Sequence, residues 1–599
     1  MSYLAPSTSF FQSTEIVQGA IDGEPQQQRP PPRYACVFCC AYRLVSKHGS
    51  RAHSTASAKA SIHILDDGSL LNMFYLYRQD TGISGGAERD YDRLIGGMGW
   101  GGERWWYELA HVCQRWRNLI LGSPLFLDIC LLCTWGTPVG DMLAHSPPLP
   151  LVIDLFDYFN ENRDITAEQE QGISLALEKH DRVRRIRLWM PHAVRSIQQF
   201  FAAINEEYPM LEYLIMAPSM EDKSTALVLP EKFQAPHLRH LLLKGFTLPI
   251  GSQLLTTAMG IVTLILSIEY PSAYFQPNTL LQWISSMQQL ETLQISFSFP
   301  VPSLDVERQP MPPPITTRVT LPNLRWFLFK GVSSYAEAVV RRIVTPRLEK
   351  LDIEFFKQLT FSVPFLLQFL TIENLRFDRA DIEFSDRGVY VRVYPEEAFM
   401  HSLSIDVRCW HLDWQVSSVA QISNSLSPIF STMKHLTVEL PTLGPTFGYK
   451  VQSLSSEEHN EVDPIEWGKL LRSFNNVKAL RINDRIAKEL HRCLQPDDGE
   501  SLLELLPKLE PGGLIYSGGT NDPDALNSFG SILRALRARQ PVTPVRPSPS
   551  FVNPFPRGSG PGFPHPSHVI ASRSSVADGN PHINGVRESF SPAPLPSQR

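Results

Sequence analysis

A six-position phrase, apolar-x-x-apolar-x-apolar, recurs through the middle of this chain and restricts what it can fold into. It reads Val183-Ile186-Leu188, Leu211-Leu214-Met216, Leu238-Leu241-Leu243, Ile261-Leu264-Leu266, Leu290-Leu293-Ile295, Leu324-Phe327-Phe329, Leu348-Leu351-Ile353, Ile372-Leu375-Phe377, Met400-Leu403-Ile405, Met433-Leu436-Val438 and Val477-Leu480-Ile482. Successive copies start 28, 27, 23, 29, 34, 24, 24, 28, 33 and 44 residues apart. The last two apolar positions of each copy straddle one residue, the period of a β-strand, so they share a core while the residue between them faces the other way. Longer echoes surround some copies: Ala235-Pro236-His237-Leu238-Arg239-His240-Leu241, Leu321-Pro322-Asn323-Leu324-Arg325-Trp326-Phe327 and Thr345-Pro346-Arg347-Leu348-Glu349-Lys350-Leu351.

One such unit buries too little surface to stand alone, but stacked units bury a continuous apolar column. Most of the intervals match the 20 to 29 residues of leucine-rich repeats, in which a short strand and a helix stack side by side. Segments 193–208 and 280–289 carry helical spacing and would form the opposite side. The asparagine that closes the leucine-rich consensus is missing from most copies, and other α/β architectures also produce strands at this interval. The reading is an irregular α/β solenoid over 155–515 with a C-terminal helix at 516–540. Outward residues such as Leu242, Gln294, Leu328, Asp352 and Glu439 would choose a partner, although their mixed chemistry names no ligand class.

A chain of 599 residues is too long for one ordinary core. Its net charge of -6 and the lack of any basic block argue against a nucleic-acid surface, which needs clustered Lys and Arg to displace counterions. Eight cysteines without regular spacing, and no signal peptide, predict a reducing compartment, cytoplasmic and/or nuclear. The longest apolar runs, 260–268 and 363–370, fall short of the roughly 20 residues a membrane span needs. Residues 1–61, with Pro30-Pro31-Pro32 and a small-residue run at 54–61, and the Pro/Ser-rich tail 541–599 are expected to be disordered.

Few motifs point to chemistry. Gly97-Met98-Gly99-Trp100-Gly101-Gly102 matches G-x-G-x-x-G by letter but lacks the preceding buried strand that a dinucleotide site needs, so a loop is the better reading. Cys36/Cys39 and Cys130/Cys133, or Cys36/Cys39 with His48 and His53, do not have the spacing of a zinc site, and structural cysteines are expected. Trp410-His411-Leu412-Asp413-Trp414 alternates like a half-buried strand. Pro541, Pro544 and Pro547 beside Arg546 suit a polyproline ligand for an SH3-like groove. Neither a nucleophile elbow nor a phosphate loop is visible. A non-enzymatic protein without metal or cofactor is expected.

Near the front, Trp106, Leu109, Cys113, Trp116 and Ile120 form one stripe of a predicted helix, stopped by Gly122-Ser123-Pro124. Two tryptophans on one face must be covered. Asp66-Asp67 caps a second amphipathic helix with Leu70, Met73, Phe74 and Tyr77 on one side. The order of these helices, with His111-Val112-Cys113, Trp116-Arg117, Ser123-Pro124, Cys133-Thr134, Thr137-Pro138 and Pro148-Leu149-Pro150-Leu151, resembles the F-box region of mushroom-forming (basidiomycete) fungi. It covers 62–154 with an insert at 79–104, and Ile64-Leu65 stand where that family usually begins Leu-Pro. The resemblance implies a small all-α module that offers an apolar helix face to the Skp-type adaptor of a cullin-based (SCF-type) ubiquitin ligase, while the repeats hold an unknown target protein. Leu70, Leu71, Phe74, Leu109, Val112, Trp116 and Leu119 are the candidates for adaptor contact or for the packing that presents it. Such a protein does no chemistry; it raises the effective concentration of a target lysine near the charged conjugating enzyme. The alternative is an F-box-like repeat scaffold that joins no ligase.

Overall fold

The recurring phrase becomes one ladder. The computed structural model describes residues 65–78, 105–134, 137–155, 166–190, 200–218, 227–249, 251–299, 318–358, 360–372, 377–385, 387–395, 402–440, 462–493, 502–510, 512–517 and 523–538. Of two units, 1–539 and 540–599, the first holds all of them. Its main sheet contains β1 Leu131–Thr134, β2 Leu151–Asp154, β3 Val183–Met190, β4 Tyr213–Pro218, β5 His240–Lys244, β6 Thr263–Ile268, β7 Thr292–Phe297, β8 Trp326–Gly331, β9 Lys350–Phe356, β10 Arg379–Phe384, β11 Val389–Tyr394, β12 Leu403–Arg408, β13 His435–Glu439, β14 Ala479–Ile482 and β15 Leu514–Tyr516. They lie side by side in the order β1 to β9, then β12, β11, β10, then β13 to β15.

Register explains the spacing of the apolar positions. Cys133 pairs with Ile153, which pairs with Ile186, and the row continues through Leu214, Leu241, Leu264, Leu293, Phe327, Leu351 and Leu403. Val393, Ala380, Leu436, Leu480 and Leu514 complete it. Every one of these side chains is buried. The first apolar position of the phrase closes the turn before each strand: Leu238, Leu324 and Leu348 each donate a backbone N–H to the carbonyl three residues back, that of Ala235, Leu321 and Thr345. Two N–H groups then share one carbonyl of the preceding unit, as Arg239 and His240 do on Glu212, and Arg325 and Trp326 do on Glu291.

Helices Pro277–Ile284, Ser333–Val340, Pro364–Ile372, Leu412–Ser425 and Pro464–Arg472 bury their apolar residues in the same core as the inward row. Their caps are local. Thr166 and Gln169 form a reciprocal capping box on helix Ala167–Leu177, and Asp463 accepts from the Ile465 N–H on helix Pro464–Arg472.

Two sequence expectations need correction. The copy Ile372-Leu375-Phe377 is displaced from the sheet: Ile372 ends helix Pro364–Ile372, Leu375 lies outside the described residues, and the strand begins at Arg379, where Ala380, Ile382 and Phe384 supply the inward positions. That strand opens a hairpin whose second arm, β11, runs antiparallel to β10 and β12. Ser385 makes the turn, its hydroxyl accepting from the Arg387 and Gly388 N–H groups at 3.2 Å. A Cβ on Gly388 would lie 2.5 Å from the Val407 carbonyl oxygen, so the close approach requires glycine.

The segment 62–154 is not all helical. β1 and β2 belong to the sheet, because Leu131-Leu132-Cys133 and Leu151-Val152-Ile153 are apolar on consecutive positions and buried on both faces. Leu70, Phe74, Trp106 and Ile120 share one core with Leu131, Ile153 and Ile186. At the other end, the last strand among the described residues is Leu514–Tyr516 and the last helix among them is Pro523–Ala538.

Because each column residue touches both neighbouring units, Leu264→Ala is expected to cost about 2–5 kcal/mol, whereas trimming the exposed Leu526 to Ala should change stability by less than about 0.5 kcal/mol. Urea titration followed by circular dichroism measures both.

Candidate functional site

Two surfaces are candidates for docking: the helices before the sheet, and the open face of the sheet. The helices are α1 Asp67–Arg78, α2 Trp105–Ala110 and α3 Gln114–Gly122. The single helix expected across Trp105 to Leu121 is broken at Cys113. That residue is extended, with φ -158° and ψ 167°, and its Sγ accepts from the Trp116 N–H as the cap of α3. Arg117 Nε donates to the Ala110 carbonyl at the end of α2, 3.1 Å away, and stabilises the break. Arg115 ties α3 to the start of α1 through Asp67 Oδ1 and the Leu65 carbonyl, both at 2.6 Å.

These helices separate the predicted adaptor residues by exposure. Leu70 and Phe74 are buried, with Phe74 edge-on to Trp116 at 4.9 Å. Leu71, Leu109, Trp116 and Leu119 are half-buried against the core. Val112 is 57 % exposed. Sequence reasoning missed Leu76, 56 % exposed, and Tyr75, which also faces solvent; both lie on α1 beside the apolar stripe that was read, but off its spacing. Trp106 donates its ring N–H to the Cys130 carbonyl at 3.2 Å, satisfying the polar end of a buried indole.

The open face of the sheet carries the residues between the inward pairs. Over β4 to β6 that face is apolar and covered: Ile215, Leu242 and Ile265 are buried, with Trp189 and Tyr213 packed on them. Leu242 is therefore a core residue rather than a selecting one. From β7 onward the face is polar, and Gln294, Leu328, Asp352 and Glu439 all keep part of their surface open. On the same face, Arg187 of β3 grips Asp154 of β2 with two bonds, Nε to Oδ1 at 2.7 Å and Nη2 to Oδ2 at 2.5 Å, both residues being buried.

The two ends of the strands differ chemically. At their N-terminal ends cations lie on aromatic rings: Arg185 over Tyr213 at 4.8 Å, Lys350 over Trp326 at 4.6 Å and Arg379 over Tyr394 at 4.1 Å. His240 stacks on Tyr213 at 4.3 Å, and burial, with Arg185 and Arg239 nearby, lowers its pKa to about 4. At their C-terminal ends one aligned row reads Lys330, Glu354, Asp406, Tyr390, Glu383, Glu439. Lys330 and Arg408 both hold Glu354, and Arg392 holds Glu383 at 3.0 Å. Burial, with Glu354 alongside, pushes Asp406 up to about 7 against the pull of Arg408, Lys330 and Arg392.

The segment expected to be a half-buried strand at Trp410–Trp414 is a loop entering a helix. β12 ends at Arg408 and the helix starts at Leu412, which leaves Trp410 72 % and Trp414 40 % exposed. Burial raises the thiols of Cys133 and Cys409 to about 12, so neither is a ready thiolate. Among the described residues no group of three or more His, Cys, Asp or Glu is placed to hold a metal ion, and no helix is long and apolar enough to cross a membrane. Gly97 to Gly102, Cys36, Cys39, His48, His53 and the prolines at 541, 544 and 547 lie outside the described residues.

No protein-family model and no curated protein matches the chain. Among solved structures, a leucine-rich repeat-containing protein of Legionella pneumophila is similar over 69 % of this chain and 99 % of that one, with 12 % identity and a TM-score of 0.20. The leucine-rich-repeat-like solenoid is defined here by its own strand order and register.

Asp406 generates a pH dependence. Its folded pKa lies above its unfolded value near 3.8, so its contribution to stability is fully present below about pH 4 and is lost as pH rises toward 7. Asp406→Asn removes that loss. The melting temperature of the variant relative to the parent is expected to climb between pH 4 and 7, and a pH-independent difference in calorimetry would refute the assignment.

Proposed function

We propose that this chain is a recognition subunit without chemistry of its own, whose open sheet face binds a target protein and whose helices α1 to α3 dock the Skp-type adaptor of a cullin-based ubiquitin ligase in the cytoplasm and/or nucleus. The observation that carries the recognition role is the polar half of the sheet face. There the outward side chains of β8 to β14 pair with one another and remain open to solvent, while the opposite side of the sheet is filled by helices. Rigid, pre-ordered polar and aromatic groups of this kind lose little freedom on binding. The adaptor role is supported by the F-box resemblance together with the solvent-facing apolar residues Tyr75, Leu76 and Val112 around a helical core. Leu70 and Phe74 act in this reading by packing, not by contact.

The second reading is a scaffold that joins no ligase. It is favoured by the continuity of the helices with the sheet core and by Ile64-Leu65 in place of Leu-Pro.

Recovery of a Skp-type adaptor by the full chain separates the two. Leu76→Asp and Val112→Asp are each expected to lower recovery at least about tenfold, the loss of roughly 1.4 kcal/mol, without moving the melting temperature. Phe74→Ala should instead destabilise the chain by about 3–5 kcal/mol. If the unaltered chain recovers no adaptor, the scaffold reading stands.

A further inference from the structure

At the N-terminal ends of β10, β13 and β14 the open face of the sheet has a hollow of about 370 Å³. Register accounts for it. Arg379, His435 and Ala479 stand side by side on the three strands, and one outward step further along come Thr437, Arg481 and, on β15, Ile515. Ala479 and Thr437 are short where their neighbours are long, so the longer side chains wall a space that the sheet leaves empty.

Three of the walls are hydrogen-bond donors without an acceptor. Arg379 Nε lies 3.9 Å from Asp381, His435 Nε2 3.7 Å from Asp378 and Arg481 Nε 3.7 Å from Glu439, all beyond hydrogen-bond reach. Those carboxylates are engaged elsewhere: Asp378 by Lys434 at 2.9 Å, Asp381 by the Tyr394 hydroxyl and Glu439 by the Ser517 hydroxyl at 3.4 Å. The donors are also open, the side chains of Arg379, His435 and Arg481 each being about half exposed. Arg379 is nonetheless held in place. Its guanidinium lies on the Tyr394 ring at 4.1 Å, a stacking that fixes its plane and leaves its N–H edge free.

An acceptor is what the hollow lacks. Arg379 and Arg481 flank β13, about two strand spacings or roughly 10 Å apart at the backbone, a span that two arginine side chains close from either side. A carboxylate or a phosphate takes N–H groups from both guanidinium forks, and the imidazole between them offers a third donor in either charge state. Ile515, exposed on the wall beside Arg481, suits an apolar neighbour of that anion. A polyanion fits less well, because along the same strands it would run onto Glu383 and Glu439 and be repelled. A single acidic side chain meets the donors and stops short of that row.

We propose that Arg379, His435 and Arg481 form a receptor for one oxyanionic side chain, carboxylate or phosphate, on a segment of the target protein, with Ile515 receiving the apolar residue next to it. This inference rests on reading the sheet face as a recognition surface and names the chemistry that surface selects.

The test is fluorescence anisotropy of three labelled peptides against the full chain, identical except for one position before a leucine, which is glutamate, phosphoserine or glutamine. The glutamate or the phosphoserine peptide is expected to bind at least about tenfold tighter than the glutamine peptide, and the tighter of the two tells an acidic segment from a phosphorylated one. Arg379→Gln and Arg481→Gln should each weaken that binding about fivefold or more without moving the melting temperature. Ala479→Leu, which fills the hollow and alters no charge, should abolish it. Arg325→Gln, at an exposed arginine before β8 and outside the hollow, should leave it unchanged. Equal affinity for the three peptides, losses in Arg379→Gln and Arg481→Gln no larger than in Arg325→Gln, or full binding by Ala479→Leu overturns the proposal. A single-stranded oligothymidylate that outcompetes both anionic peptides overturns it in favour of nucleic acid. A chain that recovers the adaptor yet binds neither anionic peptide loses this site and keeps the proposed function. One that binds with these sensitivities and recovers no adaptor keeps the site and loses the ligase role.

Discussion

Everything in this molecule hangs on a row of side chains that meet across the sheet at one level. From Cys133 to Leu514, each strand contributes one apolar residue directly beside those of its neighbours, and the hydrogen-bond ladder fixes the contact. A slip by one residue would turn Leu264 or Leu293 to the open face and bring Ile265 or Gln294 inside. Register and burial therefore enforce each other, and no strand can move alone.

The same ladder that sorts apolar residues inward also sorts charge on the open face. Because strands run parallel, like positions of successive units form rows, and the rows have distinct chemistry: cations on rings at one end, carboxylates held by Lys and Arg at the other. Most pairs are cross-strand, as Lys330 with Glu354 and Arg325 with Glu349 are, so they reinforce adjacency between units more than they stabilise any one of them. Exposed pairs such as Arg325 with Glu349 contribute little; the bidentate Arg187–Asp154 contact, taken out of water, cannot lose either partner without leaving a buried charge.

Sequence periodicity located most of the sheet because parallel units repeat one phrase, and the phrase encodes both turn and strand. It failed where the physics changes. β1 and β2 have no alternation to detect, since both their faces are buried. β11 alternates clearly as Val389-Tyr390-Val391-Arg392-Val393-Tyr394, but it lies in a hairpin without the preceding turn that marks the other copies. The stripe from Trp106 to Ile120 was legible as apolar spacing, while the break at Cys113 depends on a thiol cap and an arginine that spacing does not reveal. Among the residues offered for docking, sequence identified which were apolar; only packing could separate the buried Leu70 and Phe74 from the open Val112. Trp410 and Trp414 alternated like a strand, and only the end of β12 at Arg408 turned them outward.

The hairpin of β10 and β11 interrupts the otherwise orderly sequence of neighbours. A chain of stacked units ordinarily grows like a zipper, each new piece settling on the one made just before. Here the piece that settles on β9 is β12, and β10 and β11, although earlier in the chain, stand beyond it, so the hairpin of residues 379–394 is joined to the earlier units only through a strand that follows it. The contact between β9 and β12 thereby couples stretches separated by a whole hairpin, whereas from β1 to β9 each strand lies beside the next.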